Sequence, residues 1–147
     1  MTTPDKSALV TGNQTALFKV AYRVIYGDTD RAGVVYYATY LRLFEIGRTE
    51  LMRERLNMPY RSMEEAGNLF PVVEAYVRYR SPATYDDLLD IETWIQNISR
   101  WAITFSYSIT CHGRRVVQGH TKHACTDSAG NLTKIPEELI KAVDLTR

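Results

Sequence analysis

From Phe18 the chain alternates: Phe18, Val20, Tyr22, Val24 and Tyr26 are apolar or aromatic, with Lys19, Ala21 and Arg23 between them. A period of two marks a half-buried strand, here ending at Gly27. Beyond it the spacing changes. Tyr37, Tyr40, Leu41, Phe44, Gly47 and Leu51 recur three and four residues apart, while Arg42, Arg48, Glu50, Arg53 and Glu54 fill other positions. This spacing predicts a helix whose first turn is Val34 to Tyr37 and whose end lies near Leu56, before Asn57 and Pro59. Its broad apolar arc predicts substantial burial. Four more strands are expected at 71–80, 87–98, 101–112 and 115–126. The third of these is the cleanest, with Ile103, Phe105, Tyr107, Ile109 and Cys111 on one face and Ala102, Thr104, Ser106, Ser108 and Thr110 on the other. Short breaks at "NISRW" and "HGRR" imply antiparallel hairpins. "DSAGN" is a turn, and Pro136 is placed to open a short terminal helix, "PEELIKAV".

One strand, one long helix, four strands and one short helix make an α+β chain. A single antiparallel sheet has one face to bury, and the long helix is the element large enough to cover it. The expected architecture is a curved five-stranded sheet wrapped around one long central helix. A ferredoxin-like sheet needs a second long helix between strands, and an all-β barrel cannot absorb a helix of this length.

With 147 residues and 45% hydrophobic content, the chain suffices for one domain, expected over 16–147, after a polar, unpatterned tail at 1–15. Eighteen basic against seventeen acidic residues leave a net charge of +1. That balance argues against nucleic acid as a partner, and any anionic ligand must be met by local cations. No apolar run approaches the roughly 20 residues of a membrane helix, and the first residues lack the apolar core of a secretory signal. A cytoplasmic protein without membrane insertion is expected. A hairpin turning at Gly113-Arg114 would set Cys125 opposite residue 102, far from Cys111, so two free thiols are expected.

The chemistry concentrates in "YGDTDRAGVVYYATYLR", residues 26–42. Asp28, Asp30 and Gly33 fit the opening of an EF-hand loop, but Ala32 and Thr39 stand where its fifth and twelfth ligands belong, and a strand precedes it. Calcium is therefore not expected. Gly, Asp and Thr also form turns, and an aspartate near a helix start is favourable in its own right. The arrangement nevertheless offers more than a turn. A carboxylate at Asp30, a glycine at Gly33 and the N–H groups of a helix start are the minimal equipment for acyl transfer.

The same stretch, continued to "LFEIGRTELMRE", resembles the 4-hydroxybenzoyl-CoA thioesterase family of the hotdog fold, which includes the Tol-Pal-associated acyl-CoA thioesterases. "VRYRSPATYDDLLDIET" (77–93) and "CTDSAGNLTKIPEEL" (125–139) extend the likeness over most of residues 18–140. The resemblance implies a hotdog fold and hydrolysis of a short-chain or aromatic acyl-CoA, with no cofactor beyond the coenzyme A of the substrate. It implies that Asp30 is the catalytic carboxylate, nucleophile or general base, that the Tyr37 backbone N–H polarises the thioester carbonyl, and that Gly33 gives access. It also implies a homodimer or homotetramer, which open sheet edges favour on physical grounds. Many acyl-CoA members have histidine where this chain has Tyr37, and the hydroxybenzoyl branch has tyrosine, whereas "FEIGRTE" is closer to the Tol-Pal-associated branch. The acyl group stays open.

Tyr36 and Tyr40 are candidates for an acyl pocket, and Arg78, Arg80 and Arg100 for coenzyme A phosphates. Glu45 is expected to pair with Arg48 along the helix. His120 and His123 lie three apart in a strand and face opposite sides, so no metal site is expected with Cys111, His112 and Cys125. Two other functions use the same fold: an acyl-thioester dehydratase or hydratase, which commonly needs a histidine, and a non-catalytic acyl-CoA-binding protein. No histidine occurs before His112.

Overall fold

The alternating segments assemble into one antiparallel sheet, and the longest helix lies across its concave face. The computed structural model of the protein describes residues 15–147. In chain order the elements are β1 (Phe18–Arg23), α1 (Thr39–Glu50), α2 (Tyr60–Glu65), β2 (Val72–Tyr79), β3 (Leu88–Ile98), β4 (Ala102–Cys111), β5 (Arg114–Ala124) and α3 (Glu137–Asp144). The strands are ordered β1-β3-β4-β5-β2, with every neighbouring pair antiparallel. This is the expected hotdog arrangement. β1 and β2 form the two edges of the sheet.

Burial follows the period of each element. Ile91, Thr93 and Ile95 of β3, Ile103, Phe105, Tyr107 and Ile109 of β4, and Val117, Thr121 and His123 of β5 are buried beneath the helix. From above, α1 contributes Tyr40, Leu43, Phe44 and Gly47. Phe44 stacks flat on Tyr107 with ring centroids 4.1 Å apart. Each fully buried leucine or isoleucine in this layer contributes on the order of 1.5–3 kcal/mol.

Helix and sheet approach most closely at Gly47. A Cβ there would press on the Thr93 hydroxyl and lie 2.9 Å from Ile91 Cγ2. Thr93 Oγ1 is buried without a hydrogen-bond partner, capped by this contact. Gly47 is therefore set by packing, against the helix's own preference for a side chain.

Several boundaries differ from the sequence reading. α1 begins at Thr39, not Val34, because Val35 bridges Thr29 and Val34 bridges Thr84, which holds this stretch extended. β1 stops at Arg23, and residues 26–28 form a 3-10 turn closed by the Asp28 side chain. The helix continues past Glu50 as a wide π turn, Leu51–Arg55. α2 was not expected, since residues 57–70 show no clear period. The β4–β5 hairpin turns at His112 and Gly113, both at positive φ, and a bulge beside Ile109 pairs Ala102 with Ala124. Cys111 and Cys125 are both free and buried. The expected tail falls almost wholly outside the described residues. Thr15 is buried: its N–H donates to the Ile95 carbonyl at 3.2 Å, and its hydroxyl accepts from the Ile95 N–H at 2.8 Å.

Gly47→Ala should lower stability by about 1–2 kcal/mol in urea unfolding, since overpacking outweighs the gain in helix propensity. A stabilised variant would show that the helix can lift off β3 at little cost.

Candidate active site

The first aspartate of the motif is a structural anchor. Asp28 is 2% exposed. Its carboxylate accepts from the Tyr22 hydroxyl at 2.8 Å, the Ile25 N–H at 2.9 Å and Arg42 Nη2 at 2.6 Å. Arg42 also donates to the Tyr22 hydroxyl at 2.9 Å, closing a triangle between β1, the 3-10 turn and α1. A buried carboxylate without such donors would cost several kcal/mol, so these partners are what allow it to be charged there.

Asp30 sits on a tight hairpin that follows. Its N–H donates to the Val34 carbonyl at 2.9 Å, its carbonyl accepts from Gly33 at 3.0 Å, and its Oδ1 accepts from the Ala32 N–H at 2.8 Å. Gly33 has φ +82°, and a Cβ at this position would meet nothing within 4 Å. The glycine supplies the left-handed backbone of the turn, and the space beside it is open. The Val35 N–H donates to the Ala83 carbonyl at 2.9 Å, seating the hairpin against the loop between β2 and β3.

Helical winding reaches back almost to this hairpin. The Tyr36 carbonyl accepts from the Thr39 N–H at 2.9 Å, and Ala38 already has helical dihedrals. The Tyr36 N–H is held by the Asp28 carbonyl at 2.8 Å, while the Tyr37 N–H has no acceptor among the described residues. Tyr79 donates its hydroxyl to the Tyr37 carbonyl at 2.9 Å. Asp30, Gly33 and Tyr37 are thus gathered at one end of α1. The exposed Tyr36 and Tyr37 rings lie 4.6 Å apart. Tyr37, and after it burial and the Asp30 carboxylate, hold the Tyr36 hydroxyl above its ordinary pKa.

The other candidates divide. Tyr40 is a core residue, edge-on to Tyr79 at 5.8 Å, and burial pushes its hydroxyl up to about 12. Arg78 and Arg80 are exposed at the end of the sheet that carries Tyr37, where the Arg80 N–H donates to the Val116 carbonyl at 2.8 Å. Arg100 lies in the β3–β4 turn, with its carbonyl held by the Ile135 N–H at 2.8 Å. The ten residues of β4 separate it from them, roughly 30 Å at about 3.3 Å per residue. One chain cannot bring all three arginines to one phosphate.

A cavity of about 150 Å³ lies under the second half of α1, lined by residues that include Glu45, Arg48, Thr49, Phe70, Phe105 and His123. It is roughly 18 Å along the helix from Tyr37 at about 1.5 Å per residue. Glu45 and Arg48 do not form the expected pair; the ion pair on this stretch is Arg53 with Glu50 at 3.5 Å. Arg48 turns toward the Tyr107 hydroxyl, whose pKa burial raises and Arg48 opposes. Beneath the cavity runs a buried relay. His123 Nδ1 lies 3.0 Å from the Phe70 carbonyl, which can only accept, so Nδ1 carries the proton. Nε2 then accepts from the Thr121 hydroxyl at 2.8 Å, and Thr121 accepts from Tyr107 at 2.6 Å. Burial lowers His123 to about 4.

A thioesterase-like superfamily model matches residues 24–143. The chain belongs to that family. The enzyme class expected from the motif, thioester hydrolase, is the class of this superfamily. A putative acyl-CoA thioesterase of Bacillus subtilis, YneP, is 34% identical over 74% of this chain and 79% of its own. The acyl-CoA thioesterase YbgC of Haemophilus influenzae is 36% identical over 75% of this chain and 81% of its own. A hypothetical protein of Thermus thermophilus, TT1821, superposes with a TM-score of 0.84 at 29% identity, over 90% of this chain and 98% of its own. For this thioesterase the sequence reading missed Tyr22 and Arg42 as anchors and the residues around the cavity. Their partners are distant in sequence, and no local spacing signals them.

Two predictions follow from this geometry. Asp28→Asn should cost about 2 kcal/mol of unfolding free energy, the scale of hydrogen bonds to a charged group, while Asp30→Asn at the exposed turn should stay within about 0.5 kcal/mol of the parent. Equal losses in the two variants would contradict the division of roles. His123 has a folded pKa below its unfolded value of about 6.5, so the unfolded chain binds the extra proton. Its contribution is fully present above about pH 6.5 and is lost as pH falls toward 4, amounting to about 3 kcal/mol. Urea midpoints measured across that window should fall with pH, and His123→Phe should flatten the slope.

Proposed function

We propose that the protein hydrolyses a short-chain or aromatic acyl-CoA to the free acid and coenzyme A, with Asp30 as the reacting carboxylate and the Tyr37 N–H as the oxyanion donor. The observation that carries this reading is the unpaired Tyr37 N–H at the mouth of α1, on the same short segment as Asp30. A helix start presents partial positive charge where the thioester carbonyl oxygen gains negative charge, so the donor strengthens as the tetrahedral intermediate forms. Asp30 either attacks the carbonyl carbon or takes a proton from the water that does. Collapse of the intermediate breaks the carbon–sulfur bond and releases the coenzyme A thiolate, which is then protonated; if Asp30 is the nucleophile, water next hydrolyses the acyl-aspartyl anhydride, releasing the acid and restoring the carboxylate. A thioester is already activated, so the step calls for neither a metal nor an organic cofactor.

Assembly completes the site in this reading. β2 is an edge strand with Val73, Tyr76 and Tyr79 exposed, and Asp30 stands open to solvent. A second copy paired along β2 would run its α1 antiparallel and bring its cavity toward the first chain's Tyr37. That cavity, with Tyr60, Phe70 and Phe105 among its walls, matches the roughly 150 Å³ known to take a benzene ring. Its size supports short or single-ring acyl groups. The same packing would carry Arg100 of one copy toward the other's Arg78 and Arg80, in a homodimer or a tetramer built from it.

Purified protein offered short aliphatic, long aliphatic and aromatic acyl-CoAs, with free thiol as the readout, should turn over the first or the last. Asp30→Asn should lower turnover at least about a hundredfold. Tyr37→Phe should keep most activity because the donor is main chain, and Gly33→Val should lose it through backbone strain at positive φ. Binding without Asp30-dependent hydrolysis would instead make this an acyl-CoA-binding protein.

A further inference from the structure

Beside the Asp30 hairpin, two tyrosines form an exposed aromatic platform. Tyr26 and Tyr85 stack with centroids 3.9 Å apart and planes 4° from parallel. They remain 74% and 47% exposed, with Ile25 and Leu88 exposed around them. Apolar rings displayed this openly gain little from the chain itself.

Both rings are rigidly mounted. The Tyr26 carbonyl accepts from the Thr29 N–H at 3.1 Å and from the Thr29 hydroxyl at 2.8 Å, which ties its turn to the residue before Asp30. On the other side, Asp87 Oδ2 accepts from the Thr84 N–H at 2.8 Å and the Asp86 N–H donates to the Val24 carbonyl at 3.0 Å, fixing the loop that carries Tyr85. Thr84 in turn bridges Val34 of the Asp30 hairpin. Only Gly27, and at most about 7 Å of chain, separates Tyr26 from Asp28, whose carbonyl holds the Tyr36 N–H. Arg31, exposed on the hairpin itself, has no side-chain partner among the described residues. An aromatic face, a free cation and the reacting carboxylate therefore share one rigid frame.

We propose that the outer face of Tyr26 seats the adenine base of the acyl-CoA, continuing the Tyr85–Tyr26 stack, with Arg31 meeting a phosphate of the same nucleotide. The inference rests on the acyl-CoA reading above. A purine suits the platform because stacking needs only a flat π face, and the phosphates of the same molecule call for a cation close by. Tyr26 follows β1 and Tyr85 precedes β3, whereas Arg78 lies on β2 and Arg80 just after it, at the other edge of the sheet, so this assigns the base to a surface apart from those arginines.

Binding of adenosine 3′,5′-bisphosphate, the nucleotide end of coenzyme A without its thiol arm, tests this by calorimetry on the full chain. Tyr26→Ala should weaken it roughly tenfold, within the range for loss of one base stack, and Tyr26→Phe should restore it. Arg31→Gln should weaken the bisphosphate but not adenosine. In turnover, Tyr26→Ala should lower the ratio of kcat/KM for an acyl-CoA to that for the matching N-acetylcysteamine thioester, which has no nucleotide, by a similar factor. A constant ratio would mean that Tyr26 acts only on structure, and unaltered bisphosphate binding in Tyr26→Ala would place the base elsewhere; either overturns the proposal. A change confined to elution volume on size exclusion would make the platform a contact between copies and overturn it too. Tyr26-dependent bisphosphate binding without hydrolysis of any acyl-CoA would sink the catalytic reading and leave this one standing.

Discussion

The position of the Asp30 hairpin and of the entrance to α1 depends on one buried carboxylate. Asp28 joins the last residues of β1, the turn after them and the first turns of α1 through Tyr22, Ile25 and Arg42. Its main-chain carbonyl then holds Tyr36, so side chain and backbone of one residue set both the strand exit and the helix entrance. Between those two fixed points only a short hairpin is left, and Asp30 opens the turn at its end. A carboxylate at the end of a freely moving loop would have no fixed position; here both ends of the hairpin are held by the fold itself. The paired aspartates of the motif thus differ by burial: Asp28 is enclosed and holds the geometry, while Asp30 stands open to solvent with one carboxylate oxygen on the Ala32 N–H.

The contact between α1 and the sheet sets the second dimension of the site. Gly47 lets the helix lie directly on β3, and the stacked Phe44 and Tyr107 hold it over β4. Toward its far end the helix widens into the π turn, and the side chains of Glu45, Arg48 and Met52 roof a cavity instead of filling it. The relay through Tyr107, Thr121 and His123 lets polar atoms line that floor without an unpaired donor, because the Phe70 carbonyl gives the whole row one direction.

Much of this was legible in the sequence where the determinants are periodic. All five strands and the long helix follow from alternation and three-to-four spacing, because burial on one face is the force that selects both; the terminal helix follows from Pro136 at its start. The start of α1 was misplaced since Val34, Tyr36 and Tyr37 satisfy helical spacing equally well; what keeps Val34 and Val35 extended is pairing to Thr84 and Thr29, which spacing cannot register. Tyr40 reads as a pocket residue by proximity to the motif and is core by orientation. Arg78, Arg80 and Arg100 read as separate candidates for phosphate, and the length of β4, which sets Arg100 apart from the other two, is not legible from charge. In each case the missing information is a contact between residues far apart in the chain.

The open side of β2 has a consequence beyond recognition. A strand whose outer N–H and C=O groups meet only water contributes less to the fold than one paired on both sides, and here it also carries the exposed Val73, Tyr76 and Tyr79. Pairing of that edge by a second chain would make unfolding free energy a function of concentration through mass action, so that a melting temperature measured at nanomolar protein would fall below one measured at micromolar. Dilution would then be a perturbation of the fold in its own right, acting on the same strand whose Tyr79 steadies the carbonyl of Tyr37.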